Sequence, residues 1–324
     1  MSGAVLQDSR PDDLVTAAEV ARRYYLDQQS KVEIAAAMGM SRFRVARLLA
    51  VARTSGLVNI KIETPGAINT DLSDQLQERF GLKRAIVINA LGGDNLLLRD
   101  RLGEVAARLL EEIVTADDVV GIGWARSVLA MAAHIGSLPR CHIVQLTGAL
   151  SRPDVELSTI EVVRKLARIG GGTGSFFYAP MFVSDPRAAE MVRQQPETAA
   201  AFKQFARVTK AVVGVGGWRP PASALYDALT RRERTLLIQA GVSADLSGVF
   251  IDHNGEAMKM PLGQRIIGIS GSELRKIPEV IAIAYGNEKV TAVRPAIAGG
   301  FIQTLVANAS FARSLIAHSD DSTV

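Results

Sequence analysis

Between Lys31 and Arg53 (KVEIAAAMGMSRFRVARLLAVAR) apolar residues recur at helical spacing in two short blocks. Ile34, Ala35 and Met38 form the first face; Val45, Leu48 and Leu49 form the second. Gly39 lies between them, where the backbone must reverse, and Ser41 stands ready to cap the second helix. Ala35 is small enough for a close crossing of the two helices. A preceding helix is predicted from Leu14 to Gln28, with Val20, Tyr24 and Leu26 closing the small core, after a frayed tail at 1–13. Past Ser55-Gly56, Leu57–Glu63 (LVNIKIE) alternates like a short strand, in the place of a wing. Pro65-Gly66 marks a hinge, and a helix over Asn69–Phe80 follows.

From Ala85 the period changes. Short Val- and Ile-rich runs alternate with Ala- and Leu-rich helices: AIVIN (85–89), a helix over Leu97–Thr115, VVGIG (119–123), a helix over Ser127–Ile135, and HIVQLTG (142–148). Further strands are predicted at 175–178, 211–216, 248–252, 265–270 and 280–286. Continuous apolar strands between helices imply a mainly parallel sheet covered on both faces. Several strands run straight into glycine (Gly121, Gly148, Gly214, Gly286), which lets the backbone turn sharply at the edge where open sheets bind ligands. The predicted organisation is a helix-turn-helix domain at 1–64 and a larger α/β domain at 65–324.

Composition adds limits. Hydrophobic residues make up 48% of the 324 and charged residues 22%, as in a folded soluble chain. The single cysteine, Cys141, precludes an intrachain disulfide framework and reads as a small buried residue in a reducing compartment. The N-terminus has no cleavable signal, and no apolar run is long enough to span a membrane, so a cytoplasmic protein is expected. His134, His142, His253 and His318 are scattered without metal-ligand spacing, and no metal or cofactor is expected.

The net charge of +4 permits nucleic-acid binding without requiring it. The local pattern is more specific: Arg42, Arg44, Arg47 and Arg53 follow the cap with no acid between Ser41 and Ser55. The start of the second helix of a helix-turn-helix enters the major groove, which makes Ser41, Arg42, Phe43, Arg44 and Arg47 the candidate DNA contacts. Phe43 can instead pack within its own domain.

The stretches GIGWARSVLAMA, IVQLTGAL, APMFVSDPRA, AVVGVGG, FIDHNGEA and IPEVIAIAYGNEKVTAVRPAIAGG, behind the helix-turn-helix, resemble the SorC family of bacterial transcription regulators over roughly residues 15–317. That resemblance implies a Rossmann-like sugar-binding domain related to sugar-phosphate isomerases, an operator DNA partner, and assembly as a homodimer or homotetramer. It also implies an effector that is a small sugar, polyol or sugar phosphate. Carried over residue by residue, the effector contacts are Gly121, Gly123, Trp124, Arg126, Ser127, Gly148, Asp252, Lys289 and Asn308. In physical terms, glycines leave a strand where a helix begins near Ser127, whose free N–H groups suit a phosphate or hydroxyl oxygen. Lys289 matches the lysine of the family's glycine-glycine-x-x-lysine motif and can neutralise a phosphate. Trp124 either walls the pocket or packs beneath it. The Asp252 carboxylate either accepts from sugar hydroxyls or forms a turn.

This chain departs from the pattern at Ala125 and Ser127 (glycine and threonine in the family), at Tyr285 (glycine) and at Ala307-Asn308 (threonine-aspartate). Ala125 and Tyr285 narrow the backbone approach. Two other readings compete. A sugar-phosphate isomerase or deaminase with an appended DNA-binding domain would need a placed acid and base, nominally Asp252, Glu288 and Lys289. A dinucleotide sensor would need G-x-G-x-x-G, which neither GGGTG (170–174) nor GVGG (214–217) completes. The expectation is a regulator and not an enzyme.

Overall fold

A computed structural model describes residues 11–58, 68–90, 95–150, 158–218 and 221–320. The chain divides into two compact units, Met1–Pro65 and Gly66–Val324.

In the first unit, α1 (Pro11–Tyr25), α2 (Lys31–Ala37) and α3 (Arg42–Thr54) enclose Val20, Ile34, Val45, Leu48 and Leu49. Ser30 caps α2 in a capping box: its Oγ accepts from the Glu33 N–H, and its own N–H donates to the Glu33 carboxylate at 2.8 Å. Gly39 adopts φ +62° in the turn, and Ser41 Oγ accepts from the Arg44 N–H at 3.2 Å. α1 stops earlier than the period predicted because Gln28 turns to φ +55°, which leaves Leu26 beyond the helix and 74% exposed instead of in the core. Tyr24 does pack against that core. Of the predicted wing strand, residues 59–63 lie outside the described residues, as does the Pro65-Gly66 hinge.

The second unit opens with α4 (Thr70–Phe80), β1 (Arg84–Ile88), α5 (Asn95–Ile113), β2 (Val119–Ile122), α6 (Arg126–His134), β3 (His142–Gln145), α7 (Thr159–Ile169) and β4 (Thr173–Ser175). Next come α8 (Pro186–Gln194), α9 (Pro196–Phe202), β5 (Lys210–Gly214), β6 (Gly216–Trp218), β7 (Pro221–Ala222), α10 (Ala224–Ala228) and α11 (Arg231–Gln239). The chain ends with β8 (Val242–Leu246), β9 (Val249–Asp252), α12 (Gly271–Lys276), β10 (Glu279–Ala284), α13 (Val290–Ala298), β11 (Thr304–Asn308) and α14 (Ala309–Asp320).

Seven strands form one wholly parallel sheet in the order β1-β11-β10-β5-β2-β3-β4. Its two faces are both apolar. Val120, Ile122, Val212, Ile281 and Ile283 pack under α5, α6 and α7, while Ala211, Val213, Ala282 and Leu305 pack under α4, α13 and α14. Strand β5 continues into a second, antiparallel sheet ordered β7-β6-β8-β9, whose core is Trp218, Phe250, Leu225 and Leu237. The predicted strand at 265–270 is not one. Ile266 and Gly268 make only isolated antiparallel bridges, to Phe182 and Thr147, because the segment divides its backbone hydrogen bonds between two neighbours: Ile267 N–H donates to Met181 O (2.9 Å) and Ile269 N–H to Leu146 O (2.8 Å).

Two buried carboxylates pin the amino-terminal edge of the parallel sheet. Asp118 accepts from Thr115 N–H (2.8 Å), Thr209 Oγ1 (2.6 Å) and Lys210 Nζ (2.6 Å), joining β2 to β5. Glu279, 2% exposed, accepts from Lys83 Nζ and Thr304 Oγ1, both at 2.7 Å, and from Arg84, joining β10, β11 and β1. Burial pushes the Asp118 carboxyl up, but Lys210, Thr209 and Thr115 outweigh it and bring the pKa to about 2. Cys141 is free and buried, and burial raises its thiol pKa.

Two predictions follow from this packing. A Cβ on Gly103 in α5 would lie 2.7–2.8 Å from Ala130 and Met131 of α6. Gly103→Ala should therefore cost about 1–3 kcal/mol in denaturant unfolding, as overpacking does. The second concerns acid. Asp118 has a folded pKa below its unfolded value of about 3.9, so its contribution is present above that pH and lost as pH falls toward about 2. Thermal unfolding should weaken across that window, and Asp118→Asn should be less stable at neutral pH yet lose less on acidification.

Candidate functional site

At the carboxyl edge of the parallel sheet, β5 stands between β2 and β10, and the chains leaving these neighbours diverge. The one after β2 enters α6 on one face; the one after β10 enters α13 on the other. The gap between them is a cavity of about 300 Å³. This is the switch point at which open α/β sheets bind ligands. Trp124, Ala125, Arg126 and Ser127 enter from the end of β2, Gly214 from β5 and Gly216 from the start of β6, and Tyr285, Glu288 and Lys289 from the end of β10. The start of α5 adds Asn95 and Arg99, and the second sheet with the start of α10 closes the space with Ser223, Asp245, Ser247 and Leu225.

Close packing explains the small residues. A Cβ at Gly214 would sit 2.4 Å from Ala125 Cβ, and one at Gly216 would sit 2.2 Å from Asp245 Oδ1. Ala125 offers no side-chain cap to α6, and the first turn of that helix opens beside the buried Ser127.

Asp245 is 7% exposed, and its Oδ1 accepts from Trp218 Nε1 (2.9 Å) and Ser223 Oγ (2.6 Å). Burial pushes its carboxyl pKa up, against the pull of those two donors and of the Lys289 charge. Lys289 shows the mirror effect: burial lowers it, while Asp245 and Glu288 raise it. Its ammonium lies 5.3 Å from the centroid of the Tyr285 ring. The Tyr285 phenol is raised by burial, opposed by Arg99, which also hydrogen-bonds it, and by Arg126. Ser247, at φ +50°, has a buried Oγ with no hydrogen-bond partner among the described residues. Cations (Arg99, Arg126, Lys289) and acceptors (Asp245, Glu288) thus line one small space together with aromatic rings and the unpartnered Ser247 hydroxyl. Such a lining suits a compact polyhydroxylated molecule, including one that carries an anionic group.

Of the residues singled out from sequence, Trp124, Arg126, Ser127 and Lys289 line this cavity. Trp124 does so while also packing in the core of the second sheet. The others do not line it. Gly121 lies within β2, where a Cβ would meet the Leu146 side chain at 2.9 Å. Gly123 leaves the strand with its N–H bonded to Val212 O (2.9 Å) and no room for a Cβ beside Ser247 Oγ. Gly148 packs on the Pro180 carbonyl. The Asp252 carboxylate accepts from the N–H groups of Asn254 (2.9 Å) and Glu256 (2.8 Å), the turn role. Asn308 Nδ2 donates to Ser310 Oγ at 2.7 Å at the end of β11. Sequence reasoning missed Asp245, Ser223, Ser247 and Arg99. Only Asp245 carried a signal, an acid set within the apolar run VSADLSGVF.

On the first unit, α3 presents Arg42, Phe43, Arg44, Arg47 and Arg53 to solvent. Among the described residues no carboxylate pairs with any of these arginines, and the Arg42 guanidinium lies 5.1 Å from the Phe43 ring centroid. Cationic and capped, this helix has the electrostatic character of a nucleic-acid contact. Among the described residues no helix is long and apolar enough to cross a membrane.

A family model described as "Putative sugar-binding domain" matches residues 67–317. Over 303 residues the chain is 29% identical to the uncharacterized transcriptional regulator YjhU of Escherichia coli K12, covering 91% of this chain and 92% of that protein. It is 26% identical to the sorbitol operon regulator of Klebsiella pneumoniae over 314 residues, covering 94% and 98%. The crystal structure of the full-length Klebsiella pneumoniae regulator SorC shares the fold, with a TM-score of 0.74 at 24% identity over 95% of this chain and 100% of that one.

Proposed function

Because the chain belongs to the Sugar-bind family of sugar-binding transcriptional regulators, we propose that it controls an operon of carbohydrate or polyol metabolism by binding operator DNA under the control of a small sugar, polyol or sugar-phosphate effector. We assign residues 1–64 to DNA binding and 65–324 to effector binding and self-association as a homodimer or homotetramer. The protein then works where its operator is, in the cytoplasm.

The observation that carries this reading is the cavity beside β5, which three cationic side chains line together with the buried Asp245 carboxylate and the unpartnered Ser247 hydroxyl. An anionic group fits the α6 N-terminus with Arg126 and Arg99; hydroxyls fit Asp245, Ser127 and Ser247. Lys289 serves either group. Trp124 and Tyr285 wall the ring or chain of the ligand. Gly121, Gly123 and Gly148 contribute by letting backbones approach, and Asp252 and Asn308 shape loops and strand ends away from the cavity. On α3, Ser41, Arg42, Phe43, Arg44 and Arg47 are the operator contacts. Relatives are regulators, and the enzyme alternative draws no support from them.

Thermal unfolding in the presence of a panel of sugars, polyols and their phosphates tests the effector assignment. A ligand at a hundred times its Kd stabilises by about 2.7 kcal/mol. The shift should vanish in Lys289→Ala and Ser127→Ala and persist in Asp252→Asn; a shift that survives both cavity substitutions overturns the assignment. For the DNA side, Arg42→Ala combined with Arg44→Ala should weaken duplex binding at least about tenfold. Undiminished binding would rule that face out.

A further inference from the structure

The face of α3 turned away from its core is not uniformly basic. At about 100° per residue, the buried Val45, Leu48, Leu49 and Ala52 share one side of the helix. Phe43, Ala46, Arg47 and Ala50 occupy the side opposite, all of them exposed. Arg42 and Arg44 fall to the two flanks, about 100° on either side of Phe43. Phe43 is 72% exposed, a large apolar ring that its own unit leaves uncovered. Among the described residues its own unit does not pack it, and what distinguishes it from the unit's other exposed apolar side chains is its place at the outermost position of a polycationic helix. Ala46 and Ala50 keep the rest of that side low, which lets a helix seat deeply in a groove about 12 Å wide.

Charge selects the occupant. The absence of acids from Ser41 to Ser55 fits a polyanion and not an acidic-and-basic protein surface. Within duplex DNA the apolar feature open to Phe43 is the thymine 5-methyl group in the major groove, and a central arginine finds its bidentate partner in guanine O6 and N7. Flanking arginines face the two phosphate ridges, which fix register without carrying sequence.

We infer that α3 divides its work: Phe43 reads a thymine methyl and Arg47 a guanine on the groove floor, with Ala46 and Ala50 giving them access, while Arg42 and Arg44 hold phosphates on the two strands. This rests on the DNA-binding reading above and adds which residues discriminate sequence. The stacked Arg42–Phe43 pair gives it a structural basis: the guanidinium 5.1 Å from the ring centroid restrains the ring beside a phosphate-seeking cation.

The test uses the full-length protein and duplexes it selects from a random-sequence library, with binding followed by fluorescence anisotropy. Thymines of the selected duplex are replaced singly by deoxyuridine, which removes only the methyl group. At least one replacement should weaken wild-type binding about three- to tenfold. That difference should disappear in Phe43→Ala and persist in Phe43→Leu. Reselection with Arg47→Ala should lose preference at one guanine. Arg42→Ala and Arg44→Ala should instead weaken all duplexes in parallel and each lower the salt dependence by about one counterion. No methyl-sensitive position, or one equally sensitive in Phe43→Ala, overturns the inference while leaving DNA binding intact. Failure to select any duplex overturns the DNA-binding reading and this inference together.

Discussion

The placement of β5 between β2 and β10 is the constraint on which the larger unit depends. Strand-helix-strand crossovers in parallel sheets are right-handed, so stepping outward in opposite directions from one central strand sends the helices to opposite faces. From β2 the chain moves through α6 to β3; from β10 it moves through α13 to β11. A gap opens above β5 at the carboxyl edge as a consequence of strand order. What the sequence decides is how the gap is furnished, and the continuation of β5 into the second sheet brings Asp245 and Ser247 over it.

The two edges of the sheet treat buried charge differently. At the amino edge, Asp118 and Glu279 each collect several donors, and both pKa values fall despite burial. Those carboxylates are satisfied and structural. At the carboxyl edge, Asp245 keeps a raised pKa and Lys289 a lowered one, because burial outweighs the partners present. Buried polar groups left short of partners cost free energy, which a ligand supplying the missing contacts can recover. In this cavity the unpartnered atom is the Ser247 hydroxyl. The difference between the edges is a physical reason for locating binding at one and stability at the other.

Sequence displayed this fold well where periodicity was strong. The continuous apolar runs of β2, β5 and β10 and the capped hairpin of α2 and α3 are readable because local pattern and tertiary role agree. RIIGIS misled because an apolar run records burial and not a continuous ladder, and this buried segment splits its backbone hydrogen bonds between Met181–Val183 and Leu146–Gly148. The site was half readable. Trp124, Arg126, Ser127 and Lys289 sit next to strand ends, where sequence position and spatial position coincide. Ser223, Ser247 and Arg99 reach the cavity from a distant sheet and from a helix start, a juxtaposition created by topology alone. Asp252 misled in the opposite way: an acid before His253-Asn254-Gly255 is as well explained by the turn it forms, and the turn is what it serves.

Regulation adds a thermodynamic requirement to this geometry. The cavity and α3 belong to units with separate apolar cores. An effector alters DNA affinity only by the difference in its affinity for two states of the protein, and equal affinity for both would shift neither. Couplings of about 1–3 kcal/mol are typical of allosteric proteins. That is the size of the penalty for one or two buried polar groups left unpaired.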